Sequence, residues 1–183
     1  MEPVPALVRL DSLFINFQDF DFPQGSSHGY RWVDIKRFRV PSDMPPALPP
    51  DMHDERNVLA ALIAHLEFRD TYDGGGVDPD GTRHGQWWLD RIAPDSYRAV
   101  DDTAAIGIID TWAIGQGTLP KQLEARLRAE IYSPIRSSTD RFALGDLPKD
   151  AVHDYGPIHI DFHELVLIDR PASTVTLLVA ADD

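Results

Sequence analysis

Residues 41–51 read PSDMPPALPPD, five prolines in eleven positions. Proline lacks an amide hydrogen and pins φ, so neither a helix interior nor a central strand can pass through this stretch. The 40 residues ahead of it are too few to close a core of their own. The segment is therefore expected to be an extended connector inside one domain spanning residues 1–183, and it divides the chain into parts of different character.

Before the connector lie two apolar runs. LVRLDSLFINF (7–17) is rich in β-favouring residues and too short for a long helix. YRWVDIKRFRV (30–40) alternates, with Tyr30, Trp32, Phe38 and Val40 on one parity and Val33 and Ile35 with three arginines on the other. The loop QDFDFPQGSSHG between them is turn chemistry, so the two runs are expected to pair as an antiparallel hairpin. After the connector, DERNVLAALIAHLEFRD (54–70) repeats Val58, Leu59, Leu62, Ile63 and Leu66 at helical spacing, with acids at its start.

A second break, TYDGGGVDPDGTRHG (71–85), cannot hold regular structure cheaply and reads as a lid or surface turn. The short amphipathic piece QWWLDRI (86–92) follows it. DDTAAIGIIDTWAIG (101–115) is read as a helix capped by Asp102, although its β-branched residues also permit a strand. TLPKQLEARLRAEIY (118–132) is a helix with Thr118 at its N-cap and Leu119, Leu123, Leu127 and Ile131 along one face. Residues 158–168 and 174–181, joined by DRPAS, close the chain as a second antiparallel hairpin. The fold class expected is α+β: an antiparallel sheet from an N-terminal and a C-terminal β-hairpin, with the helical middle section packed on one face.

Charge narrows the partners. The net charge is −13, with 30 acidic against 17 basic residues. Such a field repels phosphate backbones and anionic lipid, so nucleic acid and membrane are not expected partners, while a basic protein is. The absence of cysteine removes disulfide and thiolate chemistry. No run of apolar residues reaches membrane-spanning length and the N-terminus lacks a basic signal-peptide start, so a cytoplasmic location is expected.

The C-terminal motif HIDFHE carries the most chemistry. On a continuous strand His159, Asp161 and His163 would share one face at steps of about 6.6 Å, leaving Ile158, Ile160 and Phe162 for the core. Imidazole and carboxylate in that pattern suit a divalent metal such as Zn, Mn or Fe, or general acid/base catalysis without metal. The same parity turns apolar at Leu165 and Leu167, so the triple would border a covered region; a solvated strand face is the plainer alternative. Glu164 interrupts the core-facing parity and must be paired, protonated or rotated outward at a bulge or edge.

Other motifs fail their tests. Aligned to a calcium loop, Asp78, Asp80 and Gly81 leave Gly76 and Trp87 where the anchor carboxylates belong. GSSHG (25–29) lacks the GxSxG pattern and reads as a loop. Trp87, Trp88, His84 and His28 remain as candidate binding residues, since adjacent tryptophans on a short helix cannot both face one core. Two functions follow: an acidic protein-binding domain, inhibitor- or immunity-like, for a basic partner; or a small enzyme acting on a small molecule through His159, Asp161, His163 and Glu164.

Overall fold

The computed structural model describes residues 6–41 and 53–183; apart from Pro41, the proline-rich connector lies outside the described residues. In chain order the strands are β1 (Val8–Asn16), β2 (Arg31–Arg39), β3 (Arg83–His84), β4 (Trp87–Trp88), β5 (Tyr97–Ala99), β6 (Asp140–Leu144), β7 (Phe162–Asp169) and β8 (Thr174–Asp182). The helices are α1 (His53–Ala64), α2 (Asp102–Ala113), α3 (Lys121–Leu127) and α4 (Ser133–Ser137). Six strands form one antiparallel sheet in the order β1-β2-β8-β7-β6-β5, and β3 pairs with β4 separately. The two terminal hairpins thus meet at the β2–β8 seam, where Arg31 opposes Asp182 and Arg39 opposes Thr174.

The sheet is covered on both faces. β8 reads TVTLLVAAD and is buried along nearly its whole length, the continuous apolar run of a strand covered on two sides. On one face Trp32, Phe38, Val166, Ile168, Leu177 and Val179 pack against Val58, Leu59 and Leu62 of α1 and against Phe68 and Trp87. On the other, Val33, Ile35, Leu165, Leu167, Leu178 and Ala180 meet α2, α3 and α4 through Ile109, Leu123, Leu127 and Ile135. α2, α3 and α4 of the helical middle section sit on this second face, and α1 with the loops after it covers the first.

Local chemistry sets several boundaries. α2 is capped by Asp101, whose carboxylate accepts from Ala104 N at 2.7 Å, one residue before the expected Asp102. Thr118 is not the cap, because the helix starts at Lys121 with Pro120 at the N-cap position; the Thr118 amide donates instead to Ser26 Oγ at 2.9 Å. That helix then widens through a π turn at Arg128–Tyr132 before α4. Pro134 cannot donate to the preceding turn and its ring crowds it, and a wider turn accommodates both demands. Strands β5 and β6 were not expected. QWWLDRI is helical only in its 3-10 turn at Leu89–Arg91: Trp87 and Trp88 form the second strand of a tight hairpin turning at Gly85, whose φ is +53°. A Cβ there would lie 2.9 Å from the Phe162 ring, so both the turn and the packing demand glycine. No helix among the described residues is long and apolar enough to cross a membrane.

Candidate functional site

HIDFH does not form one surface. The strand begins at Phe162, not at residue 158, so the alternation that would align the triple does not reach His159. Gly156 and Pro157 precede this stretch, and residues 158–161 run irregularly past the end of β8: Ile160 N donates to Asp182 O and Asp161 N to Asp182 Oδ1. Ile160, expected in the core, is 76% exposed. His159 turns to the α1 face, edge-on to Trp32, held by the Thr71 carbonyl and the Asp183 carboxylate, each at 3.2 Å. His163 turns to the opposite face toward Trp112, while Asp161 is exposed. His159, Asp161 and His163 therefore cannot share an ion, and among the described residues no group of three or more His, Asp or Glu side chains is placed to hold a metal.

Glu164 keeps its core-facing parity without a bulge. Its carboxylate accepts from the Tyr97 hydroxyl and is hydrogen-bonded to His84 Nε2 at 2.5 Å, and all exposure is lost on both sides of that pair. His84 stacks flat on Phe68 at 3.6 Å and donates from Nδ1 to the Phe68 carbonyl. Burial, with the Glu164 charge beside it, pushes the Tyr97 hydroxyl well above its ordinary range. This sealed network ties β3, β5 and β7 together. Both side chains are fully buried, and Glu164 also borders a cavity that α2 lines.

Of the remaining candidates, His28 sits in the first loop, its Nδ1 accepting from Tyr30 N, and its ring lies edge-on to Tyr30 at 4.8 Å. Trp87 is buried against Phe162, and Trp88 is half-buried under the Arg83 guanidinium.

A cavity that the sequence reading did not anticipate opens beside His159. It measures about 560 Å³ and is walled by Phe14, Tyr30, Trp32 and Tyr72, with Asp34, Asp73 and Asp183 among its polar groups. Trp32 stacks between Phe14, at 5.7 Å, and Tyr72, at 5.6 Å. Trp32 Nε1 donates to Asp183 Oδ1, and Lys36 Nζ lies over the Tyr72 ring at 4.9 Å. Lys36 itself pairs closely with Asp70 at 2.8 Å and stands farther from Asp34, at 3.7 Å.

Asp34 Oδ2 and the Tyr72 hydroxyl are buried without a hydrogen-bond partner. Burial raises the Asp34 carboxyl above its usual value against the opposing pull of Lys36, and burial with neighbouring carboxylates pushes Tyr72 well up. Asp73 moves the other way, lowered by hydrogen bonds from the Gly75 amide and the Thr71 hydroxyl. Gly74 and Gly76, from the glycine-rich break, complete the rim. A signal for this site does exist in the sequence: Asp34 and Lys36 stand on the same parity as Trp32 and Phe38, two charges at core-facing positions. Aromatic faces with an excess of carboxylates attract a cation by ring quadrupole and by charge. Comparison with known proteins yields no match to a family model, to a curated protein or to a solved structure.

Proposed function

We propose that the protein is an acidic protein-recognition domain, inhibitor- or immunity-like, that takes a basic side chain of its partner into the cavity of Phe14, Tyr30, Trp32 and Tyr72. The observation that carries the reading is the Asp34 oxygen that has no hydrogen bond and only a 3.7 Å ion pair with Lys36, inside an aromatic enclosure that Asp73 and Asp183 also line. A guanidinium or ammonium entering there gains a carboxylate partner and ring faces together. Two exposed aromatics at the entrance, Phe14 at 54% and Tyr30 at 59%, supply apolar area of the kind that anchors interfaces. The net charge of −13 would speed the approach of a basic partner.

The test is a pair of short Gly/Ser peptides, one carrying a central arginine and the other the neutral isostere citrulline, titrated into the full chain. The arginine peptide is expected to shift the Trp32 indole N–H resonance and to bind more weakly as salt rises. Asp73→Asn and Asp183→Asn should each weaken it several-fold. Equal binding of the two peptides, or an unmoved Trp32 resonance, would overturn the reading.

A further inference from the structure

A second cavity, about 900 Å³, is lined by α2, the ends of β6 and β7, and Gln86 and Trp87, and its chemistry is opposite to that of the first. Arg31 lines it and is only 4% exposed. Its Nε donates to the Trp112 carbonyl at 2.9 Å, capping the end of α2, and its Cζ sits 5.7 Å from the Trp112 ring centre. Capping uses one of five N–H groups. Arg31 Nη1 is buried with no hydrogen-bond partner, and Arg31 makes no ion pair with any described carboxylate. A guanidinium taken out of water without a counter-charge is costly, so an anion that supplies one is strongly favoured.

The surroundings define the anion further. Trp112 Nε1 is a second buried donor with no partner, and Gln86 Oε1 is a buried acceptor with none; both residues line the same cavity. Arg98 and Lys149, exposed at the rim, have no ion-pair partner among the described residues. Trp87, Ile108 and Phe162 provide apolar wall. The size and mixture are those of a small-molecule site. Asp146, Asp161 and Glu164 also line the cavity, together with His163, and the whole molecule is strongly acidic, which disfavours a doubly charged phosphate relative to a monoanion.

We propose that this cavity binds a small organic carboxylate with a planar apolar body, its carboxylate held by Arg31 and the Trp112 indole N–H. A guanidinium fork matches the two oxygens of a carboxylate, and the indole adds a third donor. The amide oxygen of Gln86 would accept from a hydroxyl or amine on the ligand body. The proposal is independent of the basic-partner cavity, which shares no lining residue with this one.

The probes are benzoate, its neutral isostere benzamide, and phenyl phosphate, titrated into the full chain while the four indole N–H resonances are followed. Benzoate is expected to shift the Trp112 resonance and to bind at least about ten-fold tighter than benzamide, as loss of a charge-assisted contact implies. Phenyl phosphate should bind more weakly than benzoate. Trp112→Phe, which keeps the ring and removes only the donor, should weaken benzoate several-fold. Arg31→Gln should abolish binding; because it also uncaps α2, the exposed double variant Arg98→Ala with Lys149→Ala gives a reading independent of folding, with a several-fold loss. Equal binding of benzoate and benzamide, tighter binding of phenyl phosphate, or a Trp112 resonance indifferent to benzoate would each overturn the proposal.

Discussion

Asp34 carries a penalty that its neighbours offset only in part. Lys36 leans to Asp70, leaving Asp34 Oδ2 buried with no hydrogen bond, and burial lifts the carboxyl's pKa above the ordinary 3.8 of an aspartate. A folded-state pKa above the unfolded value means the fold favours the protonated acid, so the ionised group opposes folding once pH rises through that raised value. Asp34→Asn removes the charge at nearly constant shape. It is expected to stabilise the protein by on the order of 1 kcal/mol at neutral pH, seen as a higher urea midpoint at unchanged m, with the gain vanishing in acid. The same variant should bind the arginine peptide more weakly, since the oxygen that destabilises the free protein is the one that receives the guanidinium. A variant both less stable and undiminished in binding would remove Asp34 from the site.

Among the elements, legibility followed locality. The terminal strands and α1 to α3 were readable because period-two and helical patterns are properties of contiguous residues. β5 and β6 were not: β5 has three residues, two of them exposed, and its place is set by Phe142, Ala143 and Leu144 arriving from β6. The HIDFH reading failed at an element boundary, where alternation was extended past the true start of β7. The acidic cavity draws Phe14, Trp32, Tyr72 and Asp183 from four separate segments, so only the charged pair Asp34 and Lys36 on an aromatic parity could have marked it. α2 gives the cleanest test at this scale. Asp101 takes an orphan amide at the start of α2, whereas Asp102 only accepts from its immediate neighbour Thr103 N and contributes chiefly through the helix dipole. Asp101→Ala should cost about 1 kcal/mol in urea unfolding and Asp102→Ala a few tenths. Equal costs would mean that the cap lies where the sequence pattern placed it.

Over the whole molecule, buried ionisable groups set a pH window for the fold. Tyr72, Tyr97 and Tyr132 are all raised above the ordinary 10.0, burial being the largest cause in each. In the unfolded chain they lose protons near pH 10 while the folded chain holds them, so stability falls as pH rises through 10 and keeps falling until the folded groups ionise. Each fully buried tyrosine contributes up to about 1.4 kcal/mol per pH unit, and half-exposed Tyr132 less. On the acid side, His65 and His163 lie below 6.5 because burial outweighs the pull of their carboxylates, Glu67 for the first and Asp161 and Asp182 for the second. The basic groups Arg9 and Lys36 lower His65 further. The unfolded histidines then protonate first, and stability falls as pH drops through 6.5, levelling once the folded rings protonate. Below 3.8 the lowered carboxyls Asp73 and Asp95 add a further loss. Urea midpoints across this range should trace a plateau between about pH 6.5 and pH 10, with falling limbs on either side. His65→Gln and His163→Gln should flatten the acid limb, and Tyr132→Phe should reduce the alkaline one. Tyrosinate absorbance should lag behind pH 10 until the circular dichroism is lost. Ionisation of all five tyrosines near pH 10 with the fold intact would contradict the burial on which both the sealed Glu164 network and the aromatic cavity depend.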